Sequence, residues 1–462
     1  MSAESIRGID DHSLGGRRVT VMGLGQFGGG LGVVRWLLQR GARLCITDVA
    51  QEKTLAEPLA GLKDAIESGQ ITLRLGGHAA DDFTRSELVV ANAAVPKPWE
   101  HPLLCAAREA GVPVTSEIRL AVERLDRSRT VGVTGSAGKS TTSSMLACAL
   151  RASGRRVVLG GNIGGSLLGC TEPREWTVLE LSSAQLWWLS PESGFPGWSP
   201  RVAALTNLAP NHVDWHGSLG HYLASKAGIR AVQGEDGVFI SGFEAEHPAQ
   251  AKAMAQACPI GAWWRGGLGL GDVPRMQLAT PGEHQSHNAR LAWSAAAACA
   301  AIDGLPWDGA RAAAGLEAFT GLEHRLQLVG TFHGMQCFND SKATTPEATA
   351  IALRAFSDWS RIHLIVGGYD KKVDLSSVRD LAPQLAGLYA IGATAPLLAP
   401  APPAMRFATL AAAVDEAFSR GKPGDILLLS PACASFGEFT NFEERGRKFV
   451  DLVKGPRPAV RC

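Results

Sequence analysis

The sequence predicts an α/β protein built from three units. Three observations carry this. The chain has 462 residues, and at roughly 150 residues per domain that leaves room for about three. Short apolar runs repeatedly end in glycine-rich or polar turns and give way to helically spaced apolar residues, the alternation that a helix-flanked sheet requires. The 53 glycines and 25 prolines supply the tight strand-to-helix turns that go with it.

In the first unit, Arg18 to Met22 reads as a strand, Gly23-Leu-Gly25-Gln26-Phe-Gly28 as a turn, Leu31 to Arg40 as a helix, and Arg43 to Thr47 as a second strand ending at Asp48. Further strands are expected at Ser86 to Ala91 and Val112 to Thr115. A second unit opens with Thr130 to Thr134, again followed by a glycine turn and a helix. It continues through strands at Val178 to Glu180 and Val202 to Thr206 and an alanine-rich helix from Asn288 to Ala301. Thr320 to Arg325 reads as a connector. The third unit has strands near Met335 to Phe338, Ile362 to Val366, Tyr389 to Ile391 and Ile426 to Leu429. The domain bounds this implies are 1–116, 117–320 and 321–462.

Composition excludes several classes. Lys plus Arg number 45 and Asp plus Glu 44, a net charge of +1, so the chain lacks the concentrated basic charge that nucleic acids and membrane surfaces demand. Nine cysteines are scattered singly from Cys45 to Cys462 with no C-x-x-C pair, which indicates neither a zinc site nor a disulfide framework. Met1 to Gly16 is polar, unlike a signal peptide, and the longest apolar stretches are interrupted within about 15 residues, too soon to span a bilayer. A cytoplasmic protein with reduced thiols is expected.

Gly135-Ser136-Ala137-Gly138-Lys139-Ser140-Thr141 lies between a strand and a helix, where backbone N–H groups and the helix dipole cradle phosphate oxygens and Lys139 adds a point charge. Ser140 or Thr141 is suited to a magnesium ion. Val133 stands where the longer Walker pattern has glycine, so the loop is a short G-x-x-G-K-S/T form, and it predicts ATP binding. Gly23-x-Gly25-x-x-Gly28, with Asp48 twenty residues on, fits a dinucleotide fingerprint. That pattern alone is weak, and it leaves open a nicotinamide site, another nucleotide-diphosphate site or a mere tight turn. Glu180 starts E-L-S-S-A-Q at a strand end, within reach of a metal beside the phosphate loop. His212 stands on a loop after the next strand, and Lys226 on a helix with Tyr222. A lone Glu, His or Lys in such places is more often structural; their joint occurrence downstream of the loop favours a site. In the third unit, Asn339-Asp340-Ser-Lys342-Ala-Thr344, Gly367-Gly-Tyr-Asp-Lys371 and Ser430-Pro-Ala-Cys-Ala-Ser435 are three polar turns at strand ends, as if one sheet edge were lined for ligands. The pairs Trp187-Trp188 and Trp263-Trp264 read as packing.

Taken in order, Gly135 to Thr141, Gly161-Asn162-Ile-Gly164, Glu180-Leu-Ser-Ser, His212, Tyr222 to Lys226, His324-Arg325, Asn339 to Thr344 and Ser430 to Phe442 resemble the Mur ligases. The last two, with Asn441-Phe-Glu-Glu-Arg-Gly446, look like the type that joins glutamate to UDP-N-acetylmuramoyl-alanine. The resemblance covers almost the whole chain and is weakest in the first unit. It implies a three-domain architecture: a Rossmann-like domain for the nucleotide sugar, a central P-loop ATPase domain and a Rossmann-like amino-acid domain. It also implies an ATP-dependent carboxylate–amine ligase of peptidoglycan precursor synthesis, acting through an acyl phosphate and working as a monomer. D-glutamate is the expected acceptor, although charge alone does not separate it from L-glutamate.

By the same resemblance, Ser140 and Glu180 ligate one Mg2+ and His212 a second, and Lys226 is carbamylated. Asn288 meets the adenine, and Arg325 and Asp340, with His324, the rest of the nucleotide. Gly23, Gly25, Gln26 and Asp48 belong to the UDP-sugar site, and Asn162 to the muramoyl-alanine end. Lys342, Thr344, Lys371, Ser435 and Phe442 serve the incoming glutamate. The chain departs from the family pattern at Ala137, Asn211, Gln285 and Phe436, and in the first unit at Val49-Ala50 and Asn92-Ala-Ala94, where uridine-diphosphate recognition is in question. Three other readings compete: a related ligase with another acceptor, folylpolyglutamate synthase-like or L-glutamate-adding; a nicotinamide-dependent oxidoreductase using the first glycine turn; and a nucleotide-gated binding protein.

Overall fold

The computed structural model describes residues 14–25, 29–163, 166–168, 176–257, 263, 270, 272–370 and 373–455. Among them, sixteen strands form three sheets. The first contains β1 (Arg18–Met22), β2 (Arg43–Asp48), β3 (Ile71–Leu75), β4 (Leu88–Ala91) and β5 (Val114–Ser116) in the order β3-β2-β1-β4-β5. The second contains β6 (Thr130–Thr134), β7 (Val157–Gly161), β8 (Trp176–Glu180), β9 (Val202–Leu205) and β10 (Val238–Ser241) in the order β10-β9-β6-β8-β7. Both are parallel throughout. The third contains β11 (Gln327–Phe332), β12 (Met335–Asn339), β13 (Ile362–Gly367), β14 (Gly387–Ile391), β15 (Met405–Arg406) and β16 (Ile426–Leu429) in the order β11-β12-β16-β13-β14-β15. It is mixed, because β11 runs antiparallel to β12.

The chain divides into two compact units, Met1–Arg275 with His287–Leu316 and Met276–Ser286 with Glu317–Cys462. The first holds two sheets and the second holds one. In the first unit β6, β8 and β9 are buried at every residue, as parallel strands covered on both faces must be. One apolar cluster runs from Val19, Val21 and Ile46 of the first sheet through Ile118 to Leu179 of the second sheet and Leu186 and Trp187 of the helix Ser183–Trp188 that follows it, so these two sheets share a core. Trp187 and Trp188 are buried in it and pack on each other, and Trp187 also packs on Trp99; Trp264 lies outside the described residues.

Arg119 reinforces this junction. Its guanidinium is fully buried and donates to three backbone carbonyls, those of Val114 (3.1 Å), Trp188 (2.5 Å) and Ser193 (2.8 Å), while lying over the Trp188 ring. Burial pulls its pKa down to about 9, yet the donors are satisfied, which is what keeps a buried cation tolerable. In the second unit β13, β14 and β16 alternate between two clusters, with Leu364, Leu388 and Leu428 on one face and Ile365, Tyr389 and Leu427 on the other. This is the period of two expected of a sheet covered on both sides.

The strands expected from sequence all appear, with ends shifted by one or two residues, and the alanine-rich helix runs longer, over Glu283–Asp303. β3, β7, β10, β11 and β15 were not anticipated. No helix among the described residues is long and apolar enough to cross a membrane.

Candidate active site

Each sheet places its polar turns where its strand order reverses, the position at which open α/β sheets bind ligands. In the first unit these are the turn after β1, between β2 and β4, and the loop after β6, between β8 and β9.

The loop Gly135 to Gly138 leads into the helix Lys139–Ala152. Its shape is tied to β9: Ser136 N–H donates to Asn207 O (2.9 Å), Ala137 N–H to Asn207 Oδ1 (3.0 Å), and Thr206 Oγ1 to Ala137 O (2.6 Å). Ser136 Oγ meets Tyr222 OH at 2.6 Å. Gly135 has φ +148°, and a Cβ there would lie 1.8 Å from Thr206 Oγ1. Gly138 caps the helix at φ +78° with Asn288 Oδ1 2.6 Å from where a Cβ would sit. Both positions therefore need glycine. Gly135→Ala should abolish nucleotide binding by forcing the loop off β9; an unchanged ATP affinity in calorimetry would contradict this.

Lys139 Nζ donates to Gly135 O (3.0 Å) and Ser136 O (3.2 Å), folding its charge over the loop. Lys226, fully buried on the helix Leu219–Ala227, donates from below to Gly135 O (2.8 Å). Burial first, then the Lys139 charge, pull its pKa well below that of an ordinary lysine. Glu180, at the end of β8, is buried; its Oε1 accepts from Asn162 Nδ2 at 2.9 Å, whereas Oε2 is buried with no hydrogen-bond partner. His212 is exposed in a left-handed conformation (φ 50°) at the start of a short helix. Desolvation first, then the Lys139 charge, lower its pKa, so the imidazole is neutral near pH 7 and offers a lone pair. Ser140 and Thr141 are half-buried in the first helical turn. Asn288 packs beneath the loop and accepts from Thr142 Oγ1 at 3.2 Å.

In the first sheet Gly23 and Gly25 form the turn after β1. Asp48 accepts from Gly25 N–H (3.2 Å) and Ala50 N–H (2.8 Å), so its carboxylate shapes the turn. Gln26 and Gly28 lie outside the described residues, as does Gly164. A cavity of about 670 Å³ joins the two sheets, reaching from Gly23, Gly25 and Asn92 to Lys139, Asn162 and His212.

The second unit gathers the other predicted residues. β12, β16 and β13 are parallel neighbours, so the turns after them line one edge. His324 is buried, with Nδ1 2.9 Å from Asn339 Nδ2 and Phe442 edge-on at 6.0 Å. Arg325 is exposed. Asp340 is buried and accepts from Leu326 N–H (3.0 Å) and Ser430 Oγ (2.7 Å); burial, outweighing those donors, pushes its pKa up to about 7. Lys342 is exposed with Nζ 5.1 Å from the Phe442 ring centre, Thr344 is half-buried, and Ser435 is buried. Buried Arg445 ties these turns together through Ser341 Oγ (3.0 Å) and O (2.9 Å). Lys371 lies outside the described residues.

Sequence reasoning missed Asn207 and Tyr222 as shapers of the phosphate loop, and Glu117, whose half-buried carboxylate accepts from Ser166 Oγ (2.7 Å) at the cavity wall. Asn207 had a signal in its place directly after a strand. Glu117 had none, because its partner is 49 residues away.

A phosphate loop sharing one cavity with a nucleotide-type sheet edge defines a nucleotide-using α/β enzyme. Three family models match the chain: the Mur ligase MurD-like N-terminal domain over residues 17–116, the Mur ligase middle domain over 133–263, and the Mur ligase glutamate ligase domain over 324–433. The UDP-N-acetylmuramoylalanine–D-glutamate ligase of Anaeromyxobacter dehalogenans is 38% identical over 95% of this chain and 98% of its own length. That of Acidobacterium capsulatum is 34% identical over 97% and 98%. The UDP-N-acetylmuramate–alanine ligase MurC of Thermotoga maritima shares the fold, with a TM-score of 0.54 at 18% identity over 94% of this chain and 98% of that one. The chain belongs to the Mur ligase family, in its MurD-type branch. Membership of the family implies ATP as the co-substrate; the nicotinamide reading of the first glycine turn finds no support, since that turn falls within the MurD-like N-terminal domain match.

Proposed function

We propose that the protein ligates D-glutamate to UDP-N-acetylmuramoyl-L-alanine at the expense of ATP, in the cytoplasm and as a monomer. The observation that carries this is the single cavity running from the glycine turn of the first sheet to the phosphate loop of the second. A nucleotide sugar anchored at one end presents its peptide carboxylate to ATP at the other. In this reading residues 1–116 bind the UDP-sugar, 117–320 the ATP and 321–462 the amino acid.

A carboxylate is a poor electrophile, so it first attacks the γ-phosphorus of ATP to give an acyl phosphate and ADP. The glutamate amine then attacks the acyl carbon, and the tetrahedral adduct expels phosphate. The obstacle is electrostatic, two anions brought together, and Lys139 with the loop N–H groups neutralises it. Asn162 orients the alanine end. Arg325, Asp340 and His324 contact the nucleotide, with Asn288 near the adenine; Lys342, Lys371, Thr344, Ser435 and Phe442 hold the acceptor, a lysine suiting its carboxylates.

The donor set fits magnesium. The partnerless Glu180 Oε2 is a buried oxygen awaiting a cation, with Ser140 completing one position and the neutral His212 serving a second. Among the described residues no three His, Cys, Asp or Glu side chains form a ready metal cage, so the ions would rely largely on phosphate oxygens and water, as magnesium usually does. Bound there, magnesium would neutralise phosphate charge. Carbamylated Lys226 would add an anion beside them.

The test is phosphate release with UDP-N-acetylmuramoyl-L-alanine and each glutamate enantiomer in turn. Release with D-glutamate and an amide product of the right mass are expected. Release with L-glutamate alone would place the protein with the related ligases, and release without an amino acid with the nucleotide-gated binding proteins.

A further inference from the structure

Beside the phosphate loop lies a row of polar side chains that the reaction as described does not use, three of them hydrogen-bonded in series and a fourth at ion-pair distance. Ser183 and His216 both line the 670 Å³ cavity and are almost fully buried. Ser183 Oγ lies 2.9 Å from His216 Nε2, and His216 Nδ1 lies 2.9 Å from His221 Nδ1. His221 Nε2 is 3.8 Å from Glu192 Oε2. Glu192, with Ser225, lines a second cavity of about 610 Å³. Thus four side chains connect the reaction cavity to a separate opening.

The direction of the chain follows from Ser225. Its hydroxyl proton is given to His221 O (2.9 Å), so toward His216 Nδ1, 3.5 Å away, it is an acceptor only. That contact is satisfied as a hydrogen bond when His216 Nδ1 carries the hydrogen. His216 Nδ1 then donates to the His221 Nδ1 lone pair, which leaves the His221 proton on Nε2, facing the Glu192 carboxylate. The His216 Nε2 lone pair then accepts the Ser183 hydroxyl proton, and Ser183 turns oxygen lone pairs toward the cavity. This polarity is that of a serine–histidine–acid triad, with a second histidine inserted.

The reaction has a proton to dispose of. Carboxylate, ammonium and ATP give amide, ADP and phosphate with one proton left over. We propose that Ser183, His216, His221 and Glu192 form a relay that carries this proton out of the cavity. The inference rests on the ligase reading above. As the C–N bond forms and the acyl C–O bond to phosphate breaks, the amine nitrogen passes a proton to Ser183 Oγ. The Ser183 proton moves to His216 Nε2, the His216 Nδ1 proton to His221 Nδ1, and the His221 Nε2 proton to Glu192 and then to solvent. Each group ends neutral, so no imidazolium is stored.

Two measurements test it. Nitrogen NMR of histidine-labelled protein, without substrates, should show His216 neutral and protonated at Nδ1; protonation at Nε2 would overturn the wiring. His221→Gln keeps a hydrogen bond but cannot relay a proton; it should lower kcat at least tenfold with KM for all three substrates within twofold, while thermal melting confirms a folded chain. In His221→Gly, added imidazole should restore turnover. A His221→Gln kcat equal to the parent's would overturn the relay. If the parent itself fails to ligate, the ligase reading falls, and the tautomer still decides the wiring.

Discussion

Lys139→Ala should lower ATP-driven ligation by about a thousandfold, at the upper end of what removing one preorganised charge does in an active site. The ammonium bridges Gly135 O and Ser136 O, so it sits over the loop whose N–H groups receive phosphate. Alanine leaves the loop scaffold intact, because Asn207, Thr206 and Tyr222 hold it from the other side. Loss of rate without loss of fold is therefore the expected result, read as kcat for phosphate release beside a thermal melt. Lys139→Arg should not recover it, since a planar guanidinium cannot replace a compact ammonium between two carbonyls. Turnover of Lys139→Ala within tenfold of the parent would show that chemistry occurs elsewhere.

Lys226→Ala should be nearly as damaging, about a hundredfold or more, for a different reason. Carbamylation needs a neutral amine that attacks CO2 and loses a proton. Lys226 is prepared for it: buried, 2.8 Å from Gly135 O, and repelled by the Lys139 charge, so its ammonium form is disfavoured. The sign follows directly. A lysine pKa depressed by folding keeps the amine free at neutral pH, and modification should fade as pH falls and the amine protonates. Intact mass at pH 8 should show one added CO2, lost on acidification, and acetate or formate should partly restore Lys226→Ala by supplying the missing anion. An unmodified mass together with no rescue would assign Lys226 to supporting Gly135 alone.

Much of the fold was legible because central parallel strands are continuous apolar runs, as in Val202 to Leu205. The strands that escaped notice, β3, β7, β10, β11 and β15, are all edge strands. With one side unpaired they tolerate charge and glycine: β3 carries exposed Thr72 and Arg74, and β7 ends Gly-Gly. The phosphate loop, Glu180 and Lys226 could be read because their neighbours in space are also near strand ends in sequence. Glu117 with Ser166, Arg119 with Trp188, and Ser183 with His216 could not, because each pair is joined only by tertiary packing across 33 to 69 residues. Asp48 and Asp340 illustrate a further limit. Sequence suggested ligand contacts for both, and gave no sign that their carboxylates also accept the backbone N–H groups that shape the surrounding turns.

The central claim is that one cavity brings the muramoyl-alanine carboxylate onto the γ-phosphate of ATP. Oxygen-18 placed in that carboxylate tests it most directly. Acyl-phosphate chemistry predicts that one labelled oxygen per turnover appears in the released phosphate and one remains in the amide carbonyl, as seen by mass spectrometry. Unlabelled phosphate, with amide product formed, would contradict the account.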